Sequence, residues 1–348
     1  MPAVTTSFSV LSCTSFVLVL ISLPWHLKSP LYNTGICLYM AWTSLGCLNL
    51  FINSIMWRDT MSNIAPVWCD ISTKFMTIVG IALPVASLCI SRHLYHLTAR
   101  CAPKFKIDGW RGLLLDLSIG LGVPIVYALL HIVVQRFRFN IFEGYGCMPS
   151  VFNTPLAYVI VEAPILAIAL VSTIYCWAMY IVMSLIRFRR STVDDLPIKL
   201  CPGVSWYFRF LCLTATEIIL GIIGVIMRIV ISSRGQVTPW VSWVDTHDGP
   251  AQKDAIVVEF PFQLWRADLG HRLKLEEVRW AMVARAVVLL ALFAFSNESR
   301  GCCWHVYRAF SDRIRTGSRR DAGRRDFGYA HLNASVVVEV YFSPWQKL

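Results

Sequence analysis

Charged residues are scarce in this chain. Only 15% of its 348 residues are Asp, Glu, Lys or Arg, whereas 56% are hydrophobic and the mean hydropathy is +0.57. Soluble domains carry about 25% charged residues. The composition therefore favours an integral membrane protein. A soluble bundle of unusually apolar helices is the alternative, and it explains the repeated runs of spanning length poorly.

The sequence also lacks the motifs of common enzyme classes. It contains no HExxH, GxSxG or P-loop pattern, and its eight histidines are scattered. His93 and His96 are spaced as a metal pair would be, but no further ligands follow nearby. We therefore predict no catalytic residue, no metal and no cofactor, and a membrane-embedded enzyme is a weak alternative.

Three other features are missing. No internal repeat is visible, which argues against transporter folds built from repeats. No basic segment precedes the first apolar run, so we expect that run to be a span and not a cleaved signal peptide. The net charge of +11 is distributed among loops beside apolar runs, without the basic face that nucleic-acid binding needs.

What the chain does contain is a series of apolar runs. A membrane-spanning helix needs roughly 20 mostly apolar residues, and six runs reach that length while a shorter seventh carries Arg285. The predicted fold is therefore an all-α bundle of seven transmembrane helices. The predicted spans are residues 7–25, 34–57, 67–90, 112–134, 155–186, 206–231 and 280–295. The polar residues 232–279 form either a long third outer loop or an early start of the seventh helix.

Basic residues set the expected orientation, because loops on the cytoplasmic side carry more Lys and Arg. Most of the basic residues between spans fall in the loops after the third and fifth spans and in the tail. This pattern predicts an outer N-terminus, a cytoplasmic C-terminus and an odd number of spans. We divide the chain into a transmembrane domain, residues 1–300, and a basic cytoplasmic tail, residues 301–348. The basic inner face also favours contact with anionic membrane lipid.

Two pairs of cysteines stand out among the twelve. In the predicted topology only Cys69 and Cys147 lie outside, where an oxidising environment preserves disulfides. We predict a bridge between them, and two free thiols on one side are the alternative. Cys302 and Cys303 follow the last span directly, a position that suits palmitoylation, although plain free cysteines are the simpler interpretation.

Ionisable residues inside the spans are costly in lipid and usually face the interior of the bundle. Lys74, Glu162 and Arg285 lie in the outer halves of the third, fifth and seventh spans. They indicate either a ligand cavity with polar anchors or structural pairing and snorkelling. Between the fourth and fifth spans lies "QRFRFNIFEGYGC", residues 135–147, which we expect to be an outer loop that is polar because it meets water.

Five blocks follow one another along the chain: "LPWHLKSPLYNTG", "CLNLFINSIMW", "WCDISTKFMTIVGIALPVASLCISRHL", "QRFRFNIFEGYGC" and "PWVSWVDTH". Together they resemble fungal a-factor-type mating pheromone receptors, which are seven-transmembrane G-protein-coupled receptors for lipid-modified peptides. The resemblance covers residues 22–247, about two thirds of the chain. The last third departs from the family, because "FAFSNESRGCCWHVYR" has no glycine at the position where the family has one at the end of the seventh helix.

The resemblance implies a plasma-membrane receptor that binds a farnesylated peptide pheromone and activates a heterotrimeric G protein. A homodimer is a further assembly to consider, and a small-solute transporter or channel is the alternative function. The expected ligand-binding residues are Lys74, Glu162 and Arg285 in the cavity, with Arg136, Arg138 and Glu143 around its mouth. The residues expected on the G-protein side are Arg92, Arg187, Arg189 and Arg190. The alternative is that each of them only contributes to the positive charge of the inner loops.

Overall fold

The computed structural model describes residues 2–27, 33–100, 109–192, 204–247 and 257–293, and seven long helices fill most of these ranges. The helix α5 begins with Pro155–Ala157, passes through the π-helical segment Tyr158–Glu162 and continues as Ala163–Thr192. The predicted all-α bundle is confirmed. The other helices are α1 (Pro2–Leu27), α2 (Thr34–Met56), α3 (Pro66–Arg100), α4 (Gly109–His131), α6 (Val204–Ser233) and α7 (Leu269–Phe293).

The first six helices, α1 to α6, are long and apolar enough to cross a membrane. Their outward faces carry large apolar side chains, among them Leu129, Leu170 and Trp177, each more than half exposed on the isolated chain. In a lipid environment such faces contact hydrocarbon, whereas in water they would be a large uncovered patch. The chain is therefore a multi-pass membrane protein.

The helix α3 lies at the centre of the bundle and packs against α2, α4, α5 and α6. At Gly35 the backbones of α2 and α3 approach closely, since a Cβ there would lie 2.7 Å from Ile90 N. The helix α2 begins at this contact, where Asn33 Oδ1 accepts hydrogen bonds from Gly35 N at 2.9 Å and Ile36 N at 3.4 Å. An amide oxygen at this position satisfies backbone donors that the first turn leaves unpaired.

The seventh helix starts well before the predicted residue 280. Asp268 caps it, because its carboxylate accepts hydrogen bonds from Gly270 N at 3.3 Å and His271 N at 3.0 Å. The helix therefore extends beyond the predicted span, residues 280–295, whose bounds stay a prediction. The first turns of α7 are rich in charged side chains, which a hydropathy criterion excludes from a span. The alternative, an early start of the seventh helix, matches the structure.

A small sheet covers one end of the bundle. It consists of β1 (Phe139–Phe142), β2 (Gly146–Met148) and β3 (Val257–Phe260), in the order β2-β1-β3, with β1 antiparallel to β2 and parallel to β3. Residues 135–147 therefore contain a hairpin. Its side chains Phe139, Ile141 and Tyr145 are buried, so the expectation of a loop that is polar because it meets water is wrong for these residues.

The hairpin turn depends on two glycines. Gly144 and Gly146 have φ angles of +73° and +105°, which side chains with a Cβ rarely adopt. At Gly146 a Cβ would also lie 2.6 Å from Asn53 Cβ on α2. The "EGYG" sequence thus lets the hairpin turn tightly and rest directly on the end of α2. We call this end of the bundle the hairpin end.

Residues Met1–Ser296 form one compact unit. The predicted tail, residues 301–348, lies outside the described residues, and its boundary stays a prediction.

Candidate functional site

A cavity of about 920 Å³ lies between α3, α4, α5, α6 and α7, at the hairpin end of the bundle. Ligand sites in proteins usually enclose about 300–1,000 Å³ and combine apolar walls with a few polar groups. This cavity has both components. Its lining includes Gly80, Tyr127, Glu162, Gly221, Arg228 and Arg285.

Arg228 connects three helices inside the cavity. From α6 its Nε lies 3.0 Å from Glu162 Oε1 and its Nη2 lies 3.0 Å from Glu162 Oε2, both on α5. Its Nη1 lies 3.6 Å from Glu277 Oε2 on α7. One guanidinium therefore contacts two carboxylates, with bidentate geometry towards Glu162 and a single, longer contact to Glu277.

A second cation lies on the same wall. Lys274 Nζ on α7 donates a hydrogen bond to Ser232 Oγ on α6 at 2.9 Å, and the side chain lines the cavity beside Arg228 and Glu277. Two basic and two acidic groups thus share this wall. A charged group of a ligand that enters the cavity would therefore meet side chains of both signs on this wall.

The π-helical segment Tyr158–Glu162 places Glu162 on this wall. Within it Ala163 N donates to Tyr158 O, five residues back and not four. Pro164 follows directly and has no N–H to continue the regular α-helical bonding. π-turns of this kind inside α-helices often occur at functional sites. Glu162 itself is 7% exposed.

The deep end of the cavity contains a buried ion pair. Arg285 Nε on α7 lies 2.8 Å from Glu217 Oε2 on α6, and Tyr39 Oη on α2 donates to the same oxygen at 2.9 Å. Arg285 lines the cavity, whereas Glu217 lies below it. An isolated charge at this depth would be expensive, so the pair and the tyrosine stabilise one another.

A disulfide fixes the hairpin over this end. Cys69 at the start of α3 is joined to Cys147 on β2, with their Cα atoms 5.3 Å apart. Both cysteines are buried in a small apolar cluster with Trp57, Phe139 and Ile141. This is the pair predicted from the sequence, and it holds β2 against the helix that forms one wall of the cavity.

Residues 262–265, which precede α7, are fastened to the hairpin turn. Glu143 Oε2 accepts a hydrogen bond from Phe262 N at 2.8 Å, and Trp265 Nε1 donates to Glu143 O at 3.1 Å. From α7, Arg279 Nη2 donates to Gly144 O, and its guanidinium stacks 4.5 Å from the Tyr145 ring centre. Burial raises the pKa of Tyr145 above its usual value. The hairpin turn is therefore held by contacts from residues 262–265 and from α7.

The structure brings two of the six expected ligand residues to the cavity, Glu162 and Arg285. The other four have partners elsewhere at the hairpin end. Lys74 Nζ donates to Gln135 Oε1, Glu143 Oε2 accepts from Phe262 N, and the Arg136 guanidinium lies 4.5 Å from the ring centre of Phe152. Phe152 does line the cavity, so Arg136 is one residue removed from it.

Arg138 forms a surface ion pair with Asp70 at the start of α3. Its Nε donates to Asp70 Oδ1 at 2.8 Å, and its Nη2 donates to Asp70 Oδ2. The hydrogen bond and the negative charge of Asp70 raise the pKa of Arg138. Both side chains are more than a third exposed, so a ligand could reach the pair from solvent.

At the opposite end of the bundle, Arg92 links α3 to α4. Its Nε lies 3.0 Å from Asp116 Oδ1 and its Nη2 lies 3.2 Å from Gly112 O. Arg187, Arg189 and Arg190 lie in the last turns of α5, and their side chains are outside the described part of the structure. Cys302 and Cys303 are also outside the described residues.

Within the described ranges, no group of three or more His, Cys, Asp or Glu is placed to bind a metal ion.

Sequence reasoning missed Glu277 and Lys274, and it did not assign Arg228 to the site. A helical stripe could have indicated Lys274, since His271, Lys274, Val278, Met282 and Arg285 recur every three or four residues and all line the cavity. The predicted span starts at residue 280 and so divides this stripe between Val278 and Met282. A helix that begins at the Asp268 cap contains the whole stripe.

Comparison with known proteins identifies relatives of this chain. Residues 7–315 match the family described as STE3, pheromone A receptor. The chain is similar to the pheromone B alpha 3 receptor of Schizophyllum commune, with 36% identity over 84% of this chain and 46% of that protein. It is also similar to pheromone receptor 1 of Mycosarcoma maydis, with 30% identity over 82% of this chain and 79% of that protein. The chain spans less than half the length of the Schizophyllum alpha relatives.

Proposed function

This chain belongs to the STE3 pheromone A receptor family of fungal mating pheromone receptors, and from that membership we propose its ligand and its signalling partner. The ligand is a farnesylated peptide pheromone. The partner is a heterotrimeric G protein at the opposite end of the bundle, and the receptor acts in the plasma membrane with its N-terminus and hairpin end outside.

The observation that carries the proposal is the 920 Å³ cavity at the hairpin end. Its upper wall offers the charged groups Glu162, Arg228, Lys274 and Glu277 to a peptide. Its deeper part, below these groups, has apolar side chains such as Leu83 and Ile165 beside the paired Arg285, and these apolar walls suit a hydrocarbon chain. The combination fits a ligand that has both a peptide and a lipid component better than a purely polar solute.

The deep part has unusual free room because two glycines line it. A Cβ at Gly80 would meet no atom within 4 Å, and one at Gly221 would meet only Ile165 Cγ2 at 3.9 Å. Both residues line the cavity, next to the apolar side chains Leu83 and Ile165. We assign the prenyl group to this glycine-lined region.

Activation then follows from differential binding. A ligand shifts the receptor towards its active arrangement only if it binds that arrangement more tightly. Arg228 and Arg285 each connect helices that line the cavity. A ligand that contacts these side chains therefore favours one arrangement of α5, α6 and α7 over another, and the opposite ends of the same helices transmit that change to the G protein.

The test is a mating reporter strain that lacks its own receptor and expresses this chain. We expect a response to at least one synthetic farnesylated peptide from a broad pheromone panel. The matched control is the same peptide without its farnesyl group, which should be at least about tenfold less potent, since burial of each CH₂ contributes about 0.8 kcal/mol. Silence across the panel, with surface expression verified, would contradict the proposal.

A further inference from the structure

A short segment after α6 exposes a patch of apolar side chains. Residues 237–244, "VTPWVSWV", contain no charged residue, although they follow the end of α6 at Ser233. Val241, Trp243 and Val244 are 69%, 49% and 62% exposed on the isolated chain. Single exposed apolar side chains are normal on a surface in water, whereas a contiguous apolar patch marks a contact with another apolar phase or partner.

The polarity of the short helix Trp243–His247 is reversed for a helix that lies in water. Its Thr246 is 1% exposed, and Thr246 Oγ1 donates to Ser242 O at 2.9 Å. Its Trp243 and Val244, in contrast, point away from the protein. A surface helix in water turns its apolar face to the protein core. A helix at a membrane surface instead turns apolar side chains to the lipid.

Hydrogen bonds hold the segment close to the ends of the membrane helices. Near its start, Thr238 N donates to Asn153 O at 3.1 Å, just before α5 begins. Beyond its end, His247 Nε2 lies 3.0 Å from Ile132 O, just after α4 ends. The segment therefore runs from the end of α6 past the start of α5 to the end of α4.

Both attachment points adjoin the lipid-facing surface of the bundle. Beside Ile132, which is itself exposed, Leu129 on α4 is more than half exposed, and so is Val159 near the start of α5. The apolar patch of residues 237–244 is thus continuous with faces that contact hydrocarbon. Tryptophan is enriched where hydrocarbon meets the lipid headgroups, and the segment contains Trp240 and Trp243. Lipid at that boundary is therefore the partner that fits the patch.

We propose that residues 237–244 form a membrane-contact segment, which lies at the boundary between headgroups and acyl chains in the leaflet at the hairpin end. Asn153 connects this segment to the ligand cavity, because its Nδ2 donates to Gln236 O at 3.1 Å and to Ser232 O at 2.9 Å, and all three residues line the cavity. The rim of the cavity is thereby fixed at the same membrane depth. The partner is lipid, so the proposal is independent of the identity of the ligand.

The test measures the depth of Val241 in the full-length receptor, reconstituted in phosphatidylcholine nanodiscs. A fluorescent amino acid that is excited outside the tryptophan band replaces Val241, whose exposed side chain makes the substitution mild. Its emission is compared with lipids brominated close to the headgroup, with lipids brominated near the end of the acyl chain, and with iodide in the water. Because an interfacial apolar face lies roughly 5–10 Å into the boundary, bromine close to the headgroup should quench at least about twofold more than either other quencher.

Two labelled positions calibrate the measurement. Asn63 is exposed in the loop between α2 and α3, at the same end of the bundle, and its label should be quenched mainly by iodide. Leu170 is exposed at the middle of the span Pro155–Leu185, and its label should be quenched mainly by bromine near the end of the acyl chain. A Val241 label that behaves like the one at Asn63 would place the segment in water and overturn the proposal. Behaviour like that at Leu170 would place it in the hydrocarbon core and overturn it equally.

A second measurement needs no substitution. The wild-type receptor is reconstituted with a lipid that carries a photoreactive diazirine close to its headgroup, and the adducts are mapped by mass spectrometry after irradiation. We expect adducts within residues 237–244. Their absence, with adducts recovered from the lipid-facing residues of α4, would contradict the membrane contact.

Discussion

Glu217 and Arg285 face each other inside the bundle, with Oε2 and Nε 2.8 Å apart and their side chains only 2% and 13% exposed. The contact connects α6 to α7, and the hydroxyl of Tyr39 adds α2 through the same oxygen. Three helices are thus joined at a single carboxylate at the base of the ligand cavity.

Removing one member of this pair should destabilise the receptor strongly. In Arg285→Met the carboxylate of Glu217 remains buried without its cation, and loss of one partner of a buried pair typically costs about 3–5 kcal/mol. We expect a large fall in melting temperature for the purified receptor in detergent. The same should hold for Glu217→Leu, in which the guanidinium loses this carboxylate.

The double variant Glu217→Leu with Arg285→Met is the control for that prediction. It removes both charges of the pair, and such replacements of buried pairs are often neutral or stabilising. Its melting temperature should therefore exceed that of either single variant. A double variant that is less stable than both would contradict the interpretation that the charge is the main cause of the loss.

The disulfide between Cys69 and Cys147 should stabilise the hairpin end. The bridge closes a segment with a sequence separation of 78 residues, and loss of a native disulfide typically costs about 2–5 kcal/mol. Cys69→Ser, Cys147→Ser and the double variant should have equally lowered melting temperatures, because each removes the same bond. Unchanged surface level and unchanged pheromone response in all three would mean that the bridge has no structural role. Cys37→Ser is a control at a buried free cysteine.

The cap of α7 gives a prediction about pH. The backbone N–H of His271 donates to Asp268 and, with the His271 side chain, holds the pKa of Asp268 below its usual value. A carboxyl with a lowered folded-state pKa stabilises the fold above its unfolded pKa of about 3.9, and this contribution disappears as the pH falls through the folded-state value.

Asp268→Ala should therefore cost about 1 kcal/mol near neutral pH. Asp268→Asn keeps an amide oxygen as a cap but cannot ionise, so its difference from the wild type should shrink as the pH falls below about 4. Thermal unfolding of both variants between pH 3 and 7 measures this. A difference between Asn and wild type that grows on acidification would contradict a lowered pKa for Asp268.

The amino-acid sequence was sufficient to predict the bundle because six helices present nearly continuous apolar surface. It was insufficient for α7, where Lys274, Glu277 and Arg279 interrupt the hydropathy pattern. These side chains do not face lipid in the structure, since Lys274 and Glu277 line the cavity and Arg279 is buried against the hairpin. A hydropathy criterion does not distinguish a charge that faces lipid from one that faces the interior.

The candidate site could be predicted in part for a related reason. Glu162 and Arg285 stand out in the sequence because each is an isolated charge in an apolar run. Which charge pairs with which depends on helix rotation, and the π-helical segment before Pro164 changes that rotation in a way that residue spacing does not indicate. The three-stranded sheet was missed for another reason, because the pairing of β1 with residues 257–260 joins two segments far apart in the chain.

The glycine-lined part of the ligand cavity allows a test of the prenyl assignment. Gly80 on α3 and Gly122 on α4 both have space for a side chain, since a Cβ at either position meets no atom within 4 Å. They differ in location, because Gly80 lines the cavity and Gly122 does not. Leucine at either position should leave stability unchanged or slightly higher, since glycine is a poor helix former by about 1 kcal/mol.

The effects on signalling should separate the two variants. In Gly80→Leu the new side chain occupies room that we assign to the prenyl group, so the pheromone concentration for half-maximal response should rise by about tenfold or more, equivalent to about 1.4 kcal/mol of binding free energy. Gly122→Leu should respond like the wild type at equal surface level. Because Gly80→Leu removes only space, the loss should be smaller for a ligand with a shorter prenyl chain. An equal loss for both chain lengths would place the prenyl group outside this part of the cavity.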